Sequence, residues 1–232
     1  NYLDAATGES ATLPCDTVCV CNGPWAVTCE EWFATTSGIR FPMEGIKSAS
    51  MTFSNDDGTP VDPVALFTGE DDRYHTHLEV YPRNDGDVYI CGIGGSDYVS
   101  SDELKAGANL HSCEPPADRV KAGKESFWNM SELFNGSEPT KIQACMRPCP
   151  SDGLPVVCRV PNVKNAYINA GHNCWGIAWG PGSGEAIAEL MVRGESSYEL
   201  DAFRVERFGL NGLNDGGGRG RKKRSIPVGE QW

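Results

Sequence analysis

The chain has 232 residues, ten cysteines, 27 glycines and a formal net charge of −12. So acidic a balance argues against a general nucleic-acid binder, which needs a basic face, and the cysteine content lies below that of a disulfide scaffold. There is no run of eighteen apolar residues, so no helical membrane span is expected.

The charge is unevenly placed. Residues 209–232 hold Arg219, Arg221, Lys222, Lys223 and Arg224 against Asp215 and Glu230, leaving −15 on the rest. The GGGRGRKKR run is expected to be a basic disordered tail, either a solvated end or an import or anionic-surface patch. The chain opens on Asn1 and its first methionine is Met43, so a fragment is expected: a truncated gene model, one piece of a longer protein, or a degenerate copy.

In chain order, Thr17–Cys21 (TVCVC), bounded by Pro14 and Asn22-Gly23-Pro24, predicts a short buried parallel strand. Residues 25–33 predict a short helix with Trp25, Cys29, Trp32 and Phe33 on one side, ended by Gly38. Residues 43–53 and 64–67 read as strands. Residues 77–81 and 88–91 read as a hairpin around Pro82-Arg83-Asn84-Asp85-Gly86. Residues 115–134 carry a helical pattern through Val120, Phe127, Met130, Leu133 and Phe134. Strands follow at 142–146 and 154–157, around Pro150-Ser151-Asp152-Gly153, and at 166–169. A long helix is expected over 175–192 with Gly194 beyond it, and 205–208 as an edge strand or extended tail. No internal repeat is visible. This pattern predicts an α/β (α+β) chain: strand and helix alternate at both ends, around a mainly antiparallel sheet in the middle.

Without CxxC pairs a zinc site is not expected. The cysteines read as buried free thiols of a reducing compartment, with Cys19 and Cys21 as small apolar strand residues. The sequons at Asn129 and Asn135 are the one hint of secretion, and a secreted disulfide module would need paired cysteines. His75 and His77 share a strand face in this reading, but no third metal ligand lies nearby.

The stretch NAGHNCWGIAWGPGSGEAIAELM, residues 169–191, places glycines where a strand hands over to a helix. Free N–H groups at a helix start favour an anion or electron-rich group, and glycines permit its close approach. The alternative is a tight turn with Gly180, Gly182 and Gly184 packed against a sheet.

Three blocks carry a resemblance: CDTVCVCNGPWAV (15–27), CMRPCPSDGLPVV (145–157) and GHNCWGIAWGPGSG (171–184). With Pro42 to Ser48 and HLEVYPRNDGDVYICG (77–92), the chain resembles the FAD-dependent oxidoreductases of the D-amino acid oxidase family over residues 1–208, in particular an uncharacterised eukaryotic subgroup. The family's N-terminal GxGxxG segment has no counterpart. Gly92-Ile93-Gly94-Gly95 follows a strand but has Asp97 in place of the last glycine, and reads as a loop.

The resemblance implies a partial FAD-binding, Rossmann-like layer from residues 1–38 and 148–208, and a substrate-binding domain over 39–147. It implies FAD as cofactor and a small amine or amino acid as substrate, oxidised at its C–N bond by hydride transfer to flavin. Gly23, Pro24 and Trp25 match the turn near the flavin's linking chain. Gly171, His172, Asn173, Cys174, Trp175 and Gly176 match the loop facing the ring. Arg147 matches an arginine that clamps a substrate carboxylate, a task suited to its planar fork; otherwise it is a structural ion-pair partner. Cys145, before Met146, resembles the cysteine that some sarcosine oxidases link to flavin, and is otherwise a plain strand cysteine. The alternative is a non-catalytic binding or assembly factor of the same fold. Expected compartments are the cytoplasm or, alternatively, the mitochondrion or another organelle.

Overall fold

Period-two alternation builds the larger sheet. In the computed structural model, which describes residues 2–4, 6–55, 58–108 and 113–210, its axis is β4, Met43–Phe53. The other elements are β1 (Tyr2–Leu3), β2 (Ser10–Ala11), β3 (Val18–Val20), α1 (Cys29–Trp32), β5 (Leu66–Phe67), β6 (Glu79–Pro82), β7 (Val88–Cys91), β8 (Asp97–Val99), α2 (Ser101–Lys105), α3 (Ala117–Met130), β9 (Lys141–Pro150), β10 (Val156–Arg159), β11 (Ala166–Ala170) and α4 (Gly176–Arg193). Along one side of β4 lies β9, in register from Met43 opposite Pro150 to Thr52 opposite Lys141. Along the other side lie β8 and then β7, with β6 and β5 continuing outward, all antiparallel.

Alternate residues face opposite ways. Ala49, Met51 and Phe53 of β4 join Val80, Val88, Ile90 and Phe127 in one core under α3. Gly123 lets α3 come close: a side chain there would begin 2.5 Å from Met51 Cε. Ser48, Ser50 and Thr52 point the other way, to a polar face.

The smaller sheet has the order β10-β11-β3, with β3 parallel and β10 antiparallel to β11. One of its faces shares a core with Ile39, Phe41, Met43, Val99 and Leu104, and the other packs on Ala186 and Ile187 of α4. The mixed α/β architecture matches the sequence expectation. Strand β9 runs unbroken through residues 147 and 148 and pairs with β4 of the larger sheet over its whole length.

Several expectations change. The strand at 17–21 is Val18–Val20 and lies at a sheet edge, so Val18 is exposed rather than buried. Residues 23–28 form a 3-10 helix, held by Thr28 Oγ1 donating to the Trp25 carbonyl, before α1 begins, and Trp32 faces solvent. Helix α3 stops at Met130 because Ser131 turns to extended backbone; the following turn folds Phe134 back onto Phe53 and Phe127. The 142–146 strand extends to Lys141–Pro150, and the 154–157 strand is shifted to Val156–Arg159. Residues 205–208 are a 3-10 turn rather than a strand: Val205 is fully buried, and Arg207 is pinned by Asp152 at 2.6 Å and by the Leu154 carbonyl. Leu210 bridges Ile39, while the basic stretch at 211–232 lies outside the described residues. Among the described residues no helix is long and apolar enough to cross a membrane.

Candidate functional site

The polar face of the larger sheet gathers the chain's unused chemistry. Register sets Ser48 opposite Cys145, with Arg147 two residues further along β9 on the same face. Arg147 Nη2 donates to Ser48 Oγ at 3.1 Å, and Ser48 Oγ also meets Ser96 Oγ at 2.8 Å. Arg147 Nε is buried and has no hydrogen-bond partner. A guanidinium N–H held out of water and left unpaired is costly, so its position suits an incoming anion.

Further out on this face, Glu79 Oε2 accepts from Tyr81 Oη at 2.5 Å and from Cys91 Sγ at 3.6 Å. Burial, then the Glu79 carboxylate, push the Tyr81 phenol up and the Cys91 thiol up to about 12, so both keep their protons at neutral pH. The alternation of Ser48, Ser50 and Thr52 in β4 is the sequence signal for this face, masked by the apolar residues between them.

Strand β11 delivers the second part of the site. It ends at Ala170; Gly171 turns with φ +85°, a 3-10 turn spans Asn173–Trp175, and α4 starts at Gly176. A side chain at Gly171 would begin 2.6 Å from Pro150 Cγ, so only glycine lets the turn close on the end of β9. Cys149 Sγ donates to Asn173 Oδ1 at 2.9 Å across the same junction. Gly171→Ala is expected to cost about 1–3 kcal/mol through its left-handed backbone and this contact, and a thermal melt several degrees below wild type would show it.

The third part is the turn after β3. Gly23, Pro24 and Trp25 pack against β9 and β11, and Trp25 Nε1 donates to the Ala108 carbonyl at 3.2 Å. A side chain added at Gly23 would meet nothing within 4 Å, so the turn fronts open space. Segments 15–27, 145–157 and 171–184, far apart in sequence, thus converge around the end of β9.

The 3-10 turn runs directly into α4. Trp175, its N-cap residue, makes no side-chain cap hydrogen bond. Gly180, Gly182 and Gly184 do not pack on a sheet: added side chains there would meet nothing within 4 Å among the described residues. Ile177 is 97% exposed, and Trp175 stacks on Trp179 at 5.7 Å. Only Ala186 and Ile187 of this helix are buried, so its first half is not the sheet-packed segment its glycines suggested.

His172 sits between loop and helix. Its Nε2 lies 2.9 Å from Ser183 Oγ, and that hydroxyl donates to the Gly180 carbonyl, so the ring donates from Nε2. Burial lowers its pKa below the ordinary 6.5. Below 6.5 the unfolded chain takes up a proton that the folded imidazole resists, so stability falls as pH drops from about 7 toward 5. His172→Gln is expected to flatten that part of the profile, measured as urea midpoint against pH.

Other expectations are corrected. The ten cysteines are free, yet Cys15, Cys21, Cys145 and Cys174 are exposed and only Cys29, Cys149 and Cys158 are buried. Cys21 lies past the end of β3, where no neighbouring strand covers it. Neither His75 nor His77 is in a strand: β6 starts at Glu79, and His75 is an exposed turn residue at φ +51°. Among the described residues no group of three or more His, Cys, Asp or Glu side chains could hold a metal. The Gly92–Gly95 segment is a loop closed by Arg119, which donates to the carbonyls of Ile93, Gly94 and His75. A side chain at Gly95 would begin 2.7 Å from Arg119 Cδ, so the arginine lies directly over the loop.

This chain is similar to known proteins over most of its length. A Saccharomyces cerevisiae protein that carries an oxidoreductase name, TDA3, is 29% identical over 168 residues, covering 67% of this chain and 29% of that protein. The glycine oxidase of Bacillus subtilis is 26% identical over 178 residues, covering 74% of this chain and 43% of that enzyme. The crystal structure of glycine oxidase from Geobacillus kaustophilus superposes with a TM-score of 0.63 at 19% identity, over 83% of this chain and 45% of that one. The chain therefore spans less than half the length of these relatives. Residues 3–190 match the model of the FAD dependent oxidoreductase family, DAO, and the chain belongs to that family.

Proposed function

We propose that the chain forms the flavin-ring and substrate side of an enzyme that oxidises a C–N bond of an amine or amino acid. The observation that carries this is Arg147: a guanidinium braced by Ser48, with a buried unpaired Nε, three residues along β9 from Pro150, against which the Gly171 turn closes.

The residues present fit the family's FAD. Among the described residues, side chains added at Gly23 and Gly180 would meet nothing within 4 Å, and the loop from Gly171 to Gly176 leads into α4 with no side-chain cap from Trp175. In this reading Gly23, Pro24 and Trp25 lie along the linking chain, and Gly171, His172, Asn173, Cys174, Trp175 and Gly176 face the ring. FAD, when bound, supplies the hydride acceptor. Arg147 takes the substrate carboxylate in its fork and so fixes which carbon is presented. Ser48 holds the guanidinium plane. The N–H groups opening α4 stabilise negative charge, and His172, kept neutral, adds no competing positive charge. The imine left by oxidation hydrolyses in water. Residues 1–38 and 148–208 serve as the cofactor layer, 39–147 as the substrate layer, and the remaining FAD contacts fall to a segment outside these 232 residues. Cys145 is exposed on the same face as Arg147, open to covalent attachment.

Anaerobic addition of small amino acids and secondary amines to the FAD-loaded protein tests the reading. Bleaching of the oxidised flavin band by at least one of these classes is expected. No bleaching by any amine, with 2-hydroxy acids or other C–O substrates reducing the flavin instead, would overturn it.

A further inference from the structure

Two thiols that the proposed chemistry does not use stand together at the end of β3. Cys19 is paired in the ladder opposite Tyr167, and Val20 opposite Ile168 is the last paired residue. Cys21 lies one step further, outside the ladder. Strand alternation sends Cys19 and Cys21 to the same side, while Val20 between them points into the opposite core. Their Sγ atoms are 3.5 Å apart. Cys19 is half-buried against the apolar contacts of α4, and Cys21 is exposed.

We infer that Cys19 and Cys21 are a peroxide-responsive dithiol that closes to an intrachain disulfide. The sulfurs must approach by about 1.5 Å to reach bonding distance. That movement is available at Cys21, which no strand partner restrains and which leads into the turn at Asn22 and Gly23. The exposure difference sets the order of events. Burial and the neighbouring Cys21 thiol push Cys19 up to about 12, so it remains a thiol near neutral pH. Cys21, open to solvent, is the thiol that peroxide reaches first. Its sulfur attacks one oxygen of hydrogen peroxide; the S–O bond forms, the O–O bond breaks, and the leaving hydroxide takes the Cys21 proton as water, giving a sulfenic acid. The Cys19 sulfur then displaces that oxygen: the S–S bond forms, the S–O bond breaks, and the Cys19 proton leaves with the departing hydroxide as water. Two thiols are oxidised and one peroxide is reduced to two waters. The disulfide would fix the backbone entering the Gly23–Trp25 turn, which packs on β9 and β11.

The test is made on the full 232-residue chain, reduced, freed of reductant and treated with a few equivalents of hydrogen peroxide. After N-ethylmaleimide blocking and chymotryptic digestion, the peptide carrying Cys19 and Cys21 is weighed. The expected result is a peptide lighter by two hydrogen atoms that takes up no maleimide at either residue, with both sites regained after phosphine reduction. A Cys15→Ser chain should behave the same way. A Cys19→Ser chain should instead show Cys21 gaining oxygen atoms. The inference is overturned if Cys21 gains oxygen while Cys19 stays alkylatable in the wild type. It is also overturned if the bridge disappears in Cys15→Ser, or if neither thiol reacts with peroxide.

Discussion

Replacing Arg147 with methionine is expected to weaken binding of an amino-acid carboxylate to the FAD-loaded protein by roughly a hundredfold, about 3 kcal/mol. The variant removes both the charge and the planar fork, and with them the buried Nε that has no partner in the folded chain. Ser48 keeps its contact with Ser96, so the sheet does not depend on the guanidinium. Lysine at the same place restores a positive charge but not the bidentate geometry, and should recover only part of the loss. A non-oxidisable carboxylate, titrated against the perturbed flavin spectrum, reads the effect without turnover. An unchanged dissociation constant in Arg147→Met would mean that Arg147 is a structural residue and the carboxylate goes elsewhere.

Phe53→Ala should do the opposite. Phe53 is fully buried, with its ring centroid 4.8 Å from that of Phe127 and 6.2 Å from that of Phe134. Truncating it leaves a cavity between sheet and helix, at a cost of about 3–5 kcal/mol. For a chain of this size that corresponds to a melting point lower by roughly 10 °C. Because Phe53 points away from the polar face, carboxylate affinity measured well below the melt should stay near wild type. The two substitutions thus separate the faces of one sheet: one variant binds poorly and stays stable, the other binds normally and melts early. A melting point within about 2 °C of wild type for Phe53→Ala would show that this core repacks freely, against the close packing expected of it.

The sheet was legible where alternation was strong. Residues 43–53 and the hairpin at 79–91 follow directly from period-two patterning and an Asp-Gly turn. Shorter elements were harder. Residues 205–208 read as extended, but the burial of Val205 and the pairing of Arg207 with Asp152 wind them into a 3-10 turn, and both partners are distant in sequence. Helix α3 ended early for a local reason, the extended backbone at Ser131, which apolar periodicity masks when the next aromatic still reaches the core. Of the site, the three motif blocks were visible in sequence, but their meeting at the end of β9 depends on tertiary contacts such as Cys149 with Asn173. The VCVC run looks uniformly apolar in sequence, whereas the strand ends one residue before Cys21.

The most direct test of the central claim is whether flavin binds this chain at the face built by Gly23–Trp25, Gly171–Gly176 and Arg147. The purified 232-residue chain is incubated with FAD, passed through gel filtration, and its absorbance recorded before and after acid precipitation. The account predicts a flavin band that co-elutes with the protein and is released by acid into the supernatant; a band that stays in the pellet would add covalent attachment, with Cys145 as the candidate. FAD eluting wholly apart from the protein would contradict the claim that these segments form a flavin-binding face.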